Sequence, residues 1–377
     1  MNRTLVERRE QSATEERSVS KNSWLVAPGV WRLKDLFVNV YIIQNEEGTE
    51  WVLVDTGLKS TGNKIKTLVA GIFGSRGSRP KAIILTHGHF DHRGSVMQLA
   101  DEWGVPVYCH HKEVPYLTGK VSYPPADPSV GGGAMSLLSF TYPSAPINIE
   151  NHLRELEASK SMNGTTEQGA VPGLEDWKWL YTPGHTNGHI SLFRERDGVL
   201  IAGDAIVTTM QESFLAVATQ KKYVSGPPKY FTPDWGAATY SVKQLANLEP
   251  NVIATGHGPA MYGDVARKEL HKLVREFWKW GLPAAGRYVK EPVQFNDDGI
   301  PVHIPKGTGT MWKKLAIAAG LVVLGYIILK QKKNTSGIKK IITGQLGKTL
   351  MTSSLGALGA TAPASAAMPT IPLIPAL

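Results

Sequence analysis

The sequence has a single cysteine, Cys109, in 377 residues. No disulfide can close within the chain, so the fold rests on packing, and the compartment leans weakly towards a reducing one. The first 23 residues mix both charge signs and lack an apolar run. That pattern excludes a secretory signal peptide and predicts a disordered arm. Acidic residues are missing from residue 299 to the end, where nine lysines stand: Lys306, Lys313, Lys314, Lys330, Lys332, Lys333, Lys339, Lys340 and Lys348. Taking these nine from the 41 Lys and Arg leaves 32, against 32 Asp and Glu, so the formal charge of +9 belongs wholly to the tail. A neutral body lacks the basic face that phosphate recognition requires, which excludes nucleic acid as a partner of the body.

What is present is a globular composition, 42% hydrophobic and 19% charged, and one dense cluster. Thr86-His87-Gly88-His89-Phe90-Asp91-His92 follows the apolar run Ala82-Ile83-Ile84-Leu85, which reads as a buried strand. Three imidazoles and a carboxylate within six residues make a poor core, because such groups are buried only when paired or bound to metal. In extended chain His87, His89 and Asp91 point the same way, and His92 faces a neighbouring centre. Imidazole nitrogen and carboxylate oxygen are the donors that zinc and similar first-row ions accept.

The same grammar recurs along the chain: an apolar strand, a turn of small residues, then His or Asp. Residues 36–43 and 51–54 read as a hairpin ending in Asp55-Thr56-Gly57, where the acid is a turn device or an orienting group. Helices are expected over 64–73 and 95–103, with a strand at 107–109. Strands at 177–181, 190–194, 199–202 and 252–254 deliver Pro183-Gly184-His185-Thr186-Asn187-Gly188-His189, Gly203-Asp204 and Thr255-Gly256-His257-Gly258. Helical spacing covers 237–248 and, in one long element, 264–280. Residues 117–146 break every period and read as a lid or substrate loop, with Tyr116, Tyr123, Phe140 and Tyr142 as apolar contacts. His110, His111, His152, His271 and His303 read as packing or surface histidines.

Together THGHFDH, PGHTNGH, GD and TGHG resemble the metallo-β-lactamase superfamily of dinuclear metallohydrolases over roughly residues 24–282. The resemblance implies an α/β fold, a four-layer αββα sandwich with its site at one edge of the sheets. It implies two divalent ions, zinc first, with iron or manganese as alternatives. His87, His89 and His185 would hold one ion, Asp91, His92 and His257 the other, and Asp204 would bridge. Asp91 and Asp204 are the catalytic carboxylates, with Asp91 placed to pass a proton to the leaving group, while Asp55 and His189 orient ligands. The reaction implied is attack by a metal-bridging hydroxide on a small-molecule ester, thioester or lactone. A mononuclear iron dioxygenase and a non-catalytic binding protein are the alternatives on the same scaffold.

Departures from the family's branches narrow the class. Asp204 stands where lactamases of the cysteine-ligand type need Cys, and His89 where flavodiiron relatives place Glu. Asp204 is followed by Ala205-Ile206-Val207-Thr208, not the Gly-Cys-Gly-Arg of glyoxalase II enzymes, and Val207 replaces the lactonase Tyr.

Beyond a linker at 283–311, residues 315–329 form an uncharged run flanked by Trp312, Lys313 and Lys314 before and Lys330, Lys332 and Lys333 after. Fifteen helical residues span about 22 Å, short of a hydrocarbon core of roughly 30 Å, a gap that snorkelling lysines narrow. The expectation is a membrane-associated helix over 312–333, anchored shallowly so that the catalytic domain stays cytoplasmic. A basic, low-complexity tail follows over 334–377, with Ile338, Ile341, Ile342 and Leu346 on one face beside Lys339 and Lys340.

Overall fold

Side chains along the central strands alternate between separate cores. In β4 (Val38–Gln44), Tyr41 and Ile43 join one cluster while Val40 and Ile42 join another. The pleat sends successive residues to opposite faces, so near-continuous apolar runs mark strands covered on both sides. The computed structural model describes residues 15–74, 79–160 and 167–307 of the chain.

One sheet has eight strands paired in chain order: β1 (Arg17–Ser20), β2 (Ser23–Ala27), β3 (Val30–Asp35), β4, β5 (Trp51–Val54), β6 (Ala82–Ile84), β7 (Val107–Cys109) and β8 (Leu153–Glu155). Its first five strands are antiparallel, and β5 to β8 run parallel. The other holds β9 (Ser159–Lys160), β10 (Glu167–Val171), β11 (Leu174–Tyr181), β12 (Ile190–Arg194), β13 (Val199–Ile201), β14 (Val252–Ala254) and β15 (Met261–Tyr262), with β13 and β14 parallel and the rest antiparallel.

Val52, Val54 and Ile84 from the first sheet pack against Trp177, Trp179, Leu192 and Ile201 from the second, forming the central core. On the outer face of the first sheet, Leu53 and Ile83 meet α1 (Gly62–Phe73) and α2 (Val96–Trp103) through Ile65, Leu68, Val96 and Leu99. On the outer face of the second, Leu200 and Ile253 meet α3 (Trp235–Asn247) and α4 (Gly263–Arg275) through Val242, Leu245, Leu270 and Leu273. Helices outside and two sheets within give the expected αββα order.

Three expectations are corrected. The helix expected over 264–280 ends at Arg275, because Glu276 leaves the helical region (φ −116°, ψ 27°), and a separate turn, Phe277–Trp280, follows. The break lets Phe277 pack beside Trp235 at 6.4 Å between rings. Within the segment read as an arm, Arg17–Ser20 pairs with β2, and Glu16 forms an ion pair of 2.7 Å with the buried Arg32. Within the segment read as a linker, Tyr288 and Val293 are buried in the outer core of the second sheet. Among the described residues no helix is long and apolar enough to cross a membrane; the run at 315–329 and the tail at 334–377 lie outside them.

Candidate metal centre

β5, β6, β13 and β14 all end at one edge of the sandwich. The carboxyl end of β5 leads to Asp55, that of β6 to residues 87–92, that of β13 to Asp204 and that of β14 to His257, while the β11–β12 turn supplies His185 and His189. Parallel neighbours finish together, which brings Asp55 beside residues 87–92 in one sheet and Asp204 beside His257 in the other, and the antiparallel β11–β12 turn opens on the same edge.

The meeting is close. Potential ligand atoms of His87, His89 and His185 lie within 4.8 Å of one another, as do those of His87, His92 and Asp204 and those of Asp91, His92 and His257. His89 Nδ1 and His185 Nε2 stand 2.9 Å apart. Asp204 Oδ2 lies 3.0 Å from His257 Nε2 and 3.5 Å from His185 Nε2, and its Oδ1 is 3.5 Å from His92 Nε2. Asp91 Oδ2 is 3.6 Å from His257 Nε2. All seven residues are buried. His87 Nε2, His92 Nε2 and Asp204 Oδ1 have no hydrogen-bond partner among the described residues. Buried polar atoms are rarely left so, and nitrogen and oxygen donors aimed at a common point suit divalent first-row ions. The residues therefore fit the metal that their chemistry implies.

Hydrogen bonds behind the rings fix which nitrogen faces inward. Asp55 Oδ2 lies 2.8 Å from His92 Nδ1, so that nitrogen carries the proton and Nε2 is free. Asp55 also accepts from the Thr86 backbone N–H and hydroxyl, both at 2.8 Å. Its backbone is left-handed, φ +59°, a conformation rare outside glycine and common where a functional geometry is enforced. The Phe37 carbonyl accepts from His257 Nδ1 at 2.7 Å. His189 is placed differently. Its Nε2 accepts the Asp204 backbone N–H at 2.9 Å, and its Nδ1 donates to Thr182 Oγ1 at 2.9 Å. With both nitrogens committed, His189 holds the Asp204 backbone.

The electrostatics divide the site. Burial, then neighbouring imidazoles, holds His87 and His89 well below the usual histidine range. Burial opposes ionisation of Asp204, but His257 and His92 outweigh it and hold that carboxyl well below its ordinary value. Burial also disfavours charge on His92, yet Asp204 and Asp55 raise its pKa well above the ordinary value. Burial pushes Asp91 up, against the pull of His92 and His257. Buried carboxylates here call for positive charge, whether protons or metal.

A narrow pocket of about 10 Å³, roughly the room one water needs, lies beside His89 and His185. Tyr116, Tyr123, Phe231 and Tyr288 wall it, and among the described residues no Asp, Glu, Lys or Arg lines it. The tyrosine hydroxyls are spent elsewhere, Tyr116 on the Gly299 carbonyl at 2.6 Å, Tyr288 on the Pro125 carbonyl at 2.6 Å and Tyr123 on Glu113. Of the aromatics expected from residues 117–146, Tyr123 reaches the pocket, Tyr142 stacks near Phe90 at 5.7 Å, and Phe140 is exposed. Tyr288 and Phe295, from the segment read as linker, also line the pocket, and sequence reasoning missed both.

It missed Glu113 as well, a fully buried carboxylate that contacts both histidine loops. His110, His111 and Glu167 form a further cluster. There His110 Nε2 is 3.0 Å from Glu167, Nδ1 accepts from the Lys112 backbone at 3.3 Å, and the ring stacks on Tyr181 at 4.5 Å. Both nitrogens are committed, in keeping with a packing histidine.

The fold and the site define a metal-binding αββα sandwich, and comparison places it. The sequence profile of the metallo-beta-lactamase superfamily matches residues 33–257. Over 248 residues the chain is 45% identical to the "Probable metallo-hydrolase YflN" of Bacillus subtilis (strain 168), covering 66% of this chain and 90% of that one. It is 25% identical over 227 residues to the "Probable metallo-hydrolase YybB" of the same organism, covering 60% and 83%. Among solved structures it is similar to an archaeal metallo-beta-lactamase superfamily protein, ST1585 from Sulfolobus tokodaii, at 20% identity and a TM-score of 0.41, covering 74% and 89%. The chain belongs to the metallo-β-lactamase superfamily.

Proposed function

We propose that the chain is a dinuclear metal-dependent hydrolase acting on an uncharged ester, thioester or lactone. The observation that carries this reading is the set of buried, inward-facing donor atoms, three of them without a partner among the described residues. His87, His89 and His185 would hold one divalent ion, Asp91, His92 and His257 would hold a second, and Asp204 stands near both groups. Zinc is the ion such donors suit first, with iron or manganese as alternatives. Two such ions, when bound, acidify a water and polarise the electrophile.

The chain's own residues do the rest. Asp55 and the Phe37 carbonyl keep His92 and His257 in the ligating tautomer. His189 holds the Asp204 backbone in place. Asp91, at the rim of the second triad, is the carboxylate that passes a proton to the leaving group. Tyr123 and Phe231 pack against His89 and wall the narrow pocket there, so an apolar part of the substrate would lie against these rings once they part to admit it. Away from the metal ligands the lining is uncharged, so a charged group remote from the reacting bond, such as a glutathione carboxylate, would find no partner there. Two relatives described as probable metallo-hydrolases support the hydrolase class.

Membrane attachment through residues 312–333, with the catalytic domain on the cytoplasmic side, remains part of the proposal. It rests on the lysine-flanked apolar run in the sequence. The test of the catalytic reading is a panel of ester, thioester, lactone and phosphodiester substrates on metal-loaded protein. Hydrolysis of neutral acyl substrates is expected, abolished in His87→Ala and Asp204→Ala. Turnover confined to phosphodiesters, or iron-dependent oxygen consumption without hydrolysis, would refute it.

A further inference from the structure

We infer that Glu113 is a positioning residue that sets the first metal triad, His87, His89 and His185, and ties it to the wall of the substrate pocket; this rests on the reading above. Glu113 follows β7 in a short turn, His111–Glu113, far in sequence from every ligand, and is fully buried. Each of its carboxylate oxygens takes one backbone N–H and one hydroxyl. Oε2 accepts from the Gly88 N–H at 2.9 Å and from the Tyr123 hydroxyl. Oε1 accepts from the Gly188 N–H at 3.0 Å and from Thr186 Oγ1 at 2.6 Å.

Those donors are not scattered. Gly88 lies between His87 and His89, and Thr186 and Gly188 lie on the loop of His185. One carboxylate therefore clamps both loops of a single triad. The second triad, Asp91, His92 and His257, has its own supports in Asp55 and the Phe37 carbonyl. Both glycines are needed for the approach. A Cβ on Gly188 would stand 2.7 Å from Glu113 Cγ, and one on Gly88 would reach Glu113 Oε2 at 3.3 Å and collide with the Tyr123 hydroxyl. Tyr123 closes the circuit, since its ring packs 4.6 Å from His89 and lines the pocket. Each of the two carboxyl oxygens accepts one backbone donor. An amide at this position must turn its NH2 towards one of them, and a backbone N–H cannot reverse as a hydroxyl can.

The test is a Zn2+ titration by calorimetry of the wild type, Glu113→Gln, Tyr123→Phe and Thr186→Val. His185→Ala and His257→Ala serve as references to assign the two binding events. Glu113→Gln should weaken the event lost in His185→Ala by tenfold or more and leave the event lost in His257→Ala within a few-fold of wild type. Tyr123→Phe and Thr186→Val each remove one donor without creating a clash, and should weaken the same event by a smaller factor. They keep the inference testable where Glu113→Gln fails to fold. Equal weakening of both events, or two wild-type events in all three variants, would overturn the inference while leaving the dinuclear reading intact. A wild type that binds no divalent ion would overturn both.

Discussion

At the scale of single residues, the ligands depend on what stands behind them. Asp55 contacts no substrate in this account, yet it fixes the proton of His92 and braces Thr86. Asp55→Ala should lower affinity for the second ion by about 10–100-fold, read by competition with a chromogenic chelator, whereas unchanged affinity would remove Asp55 from the support. His110 makes a different prediction. Burial lowers its pKa from the ordinary 6.5 to about 4, the neighbouring Glu167 notwithstanding. The unfolded chain takes up this proton more readily than the folded one, so protonation favours unfolding. The contribution is intact above about pH 6.5 and is lost progressively as pH falls towards 4. Urea unfolding from pH 4 to 7 should show a stability slope in the wild type that is shallower in His110→Gln. Parallel profiles would contradict the assignment. The His and Asp residues that meet at this edge were legible in the sequence because each follows an apolar strand by a few residues. Glu113 was not, because its partners lie 25 and 75 residues away along the chain, and no local period marks it. A buried acid beside Val114, Pro115, Tyr116 and Leu117 was the one available signal.

At the scale of elements, the parallel pairs β5–β6 and β13–β14 bring the motifs together, and cross-sheet bonds keep them in register. Asn39 on β4 donates to the carbonyls of Thr255 and Gly258 at 2.8 and 2.7 Å, bracketing His257, and accepts from Arg32 at 2.9 Å. Tyr41 donates to the same Thr255 carbonyl at 2.7 Å. Asn39→Ala strands a buried guanidinium donor and frees the loop, and should cost about 2–4 kcal/mol by urea unfolding, at 1–3 kcal/mol for each unmet buried group. A change below about 0.5 kcal/mol would show that the loop holds itself. The apolar strands and the amphipathic helices α1 to α3 were readable from their periods. The outer strands β8, β9 and β10 were not, since Leu-Arg-Glu, Ser-Lys and Glu-Gln-Gly-Ala-Val carry little apolar alternation and are set by edge pairing. The expected long helix ran through Arg275 because sequence spacing alone does not register the turn at Glu276 that buries Phe277.

For the whole molecule, charge separates a neutral body, which carries the sandwich and its metal-type cluster, from a lysine-rich tail, for whose residues 312–333 membrane attachment is proposed. The uncharged pocket predicts selectivity. Phe231 stacks on His89 at 4.6 Å and walls the pocket. Phe231→Ala should raise KM for aryl esters by about tenfold, the worth of roughly 1.4 kcal/mol of lost apolar contact, with a smaller change in kcat; an unchanged KM would move the substrate elsewhere. The overall class was legible because four motifs had to share one edge, whereas the pocket was not, since its walls come from residues 116–123, 231 and 288–295, which meet only in the fold. The central claim is that one chain binds two divalent ions through the seven residues at this edge. Metal analysis of purified residues 15–307 after loading and dialysis tests it most directly. Two ions per chain, falling to one in His185→Ala and one in His257→Ala, are predicted; a single ion in the wild type, or none, would contradict it.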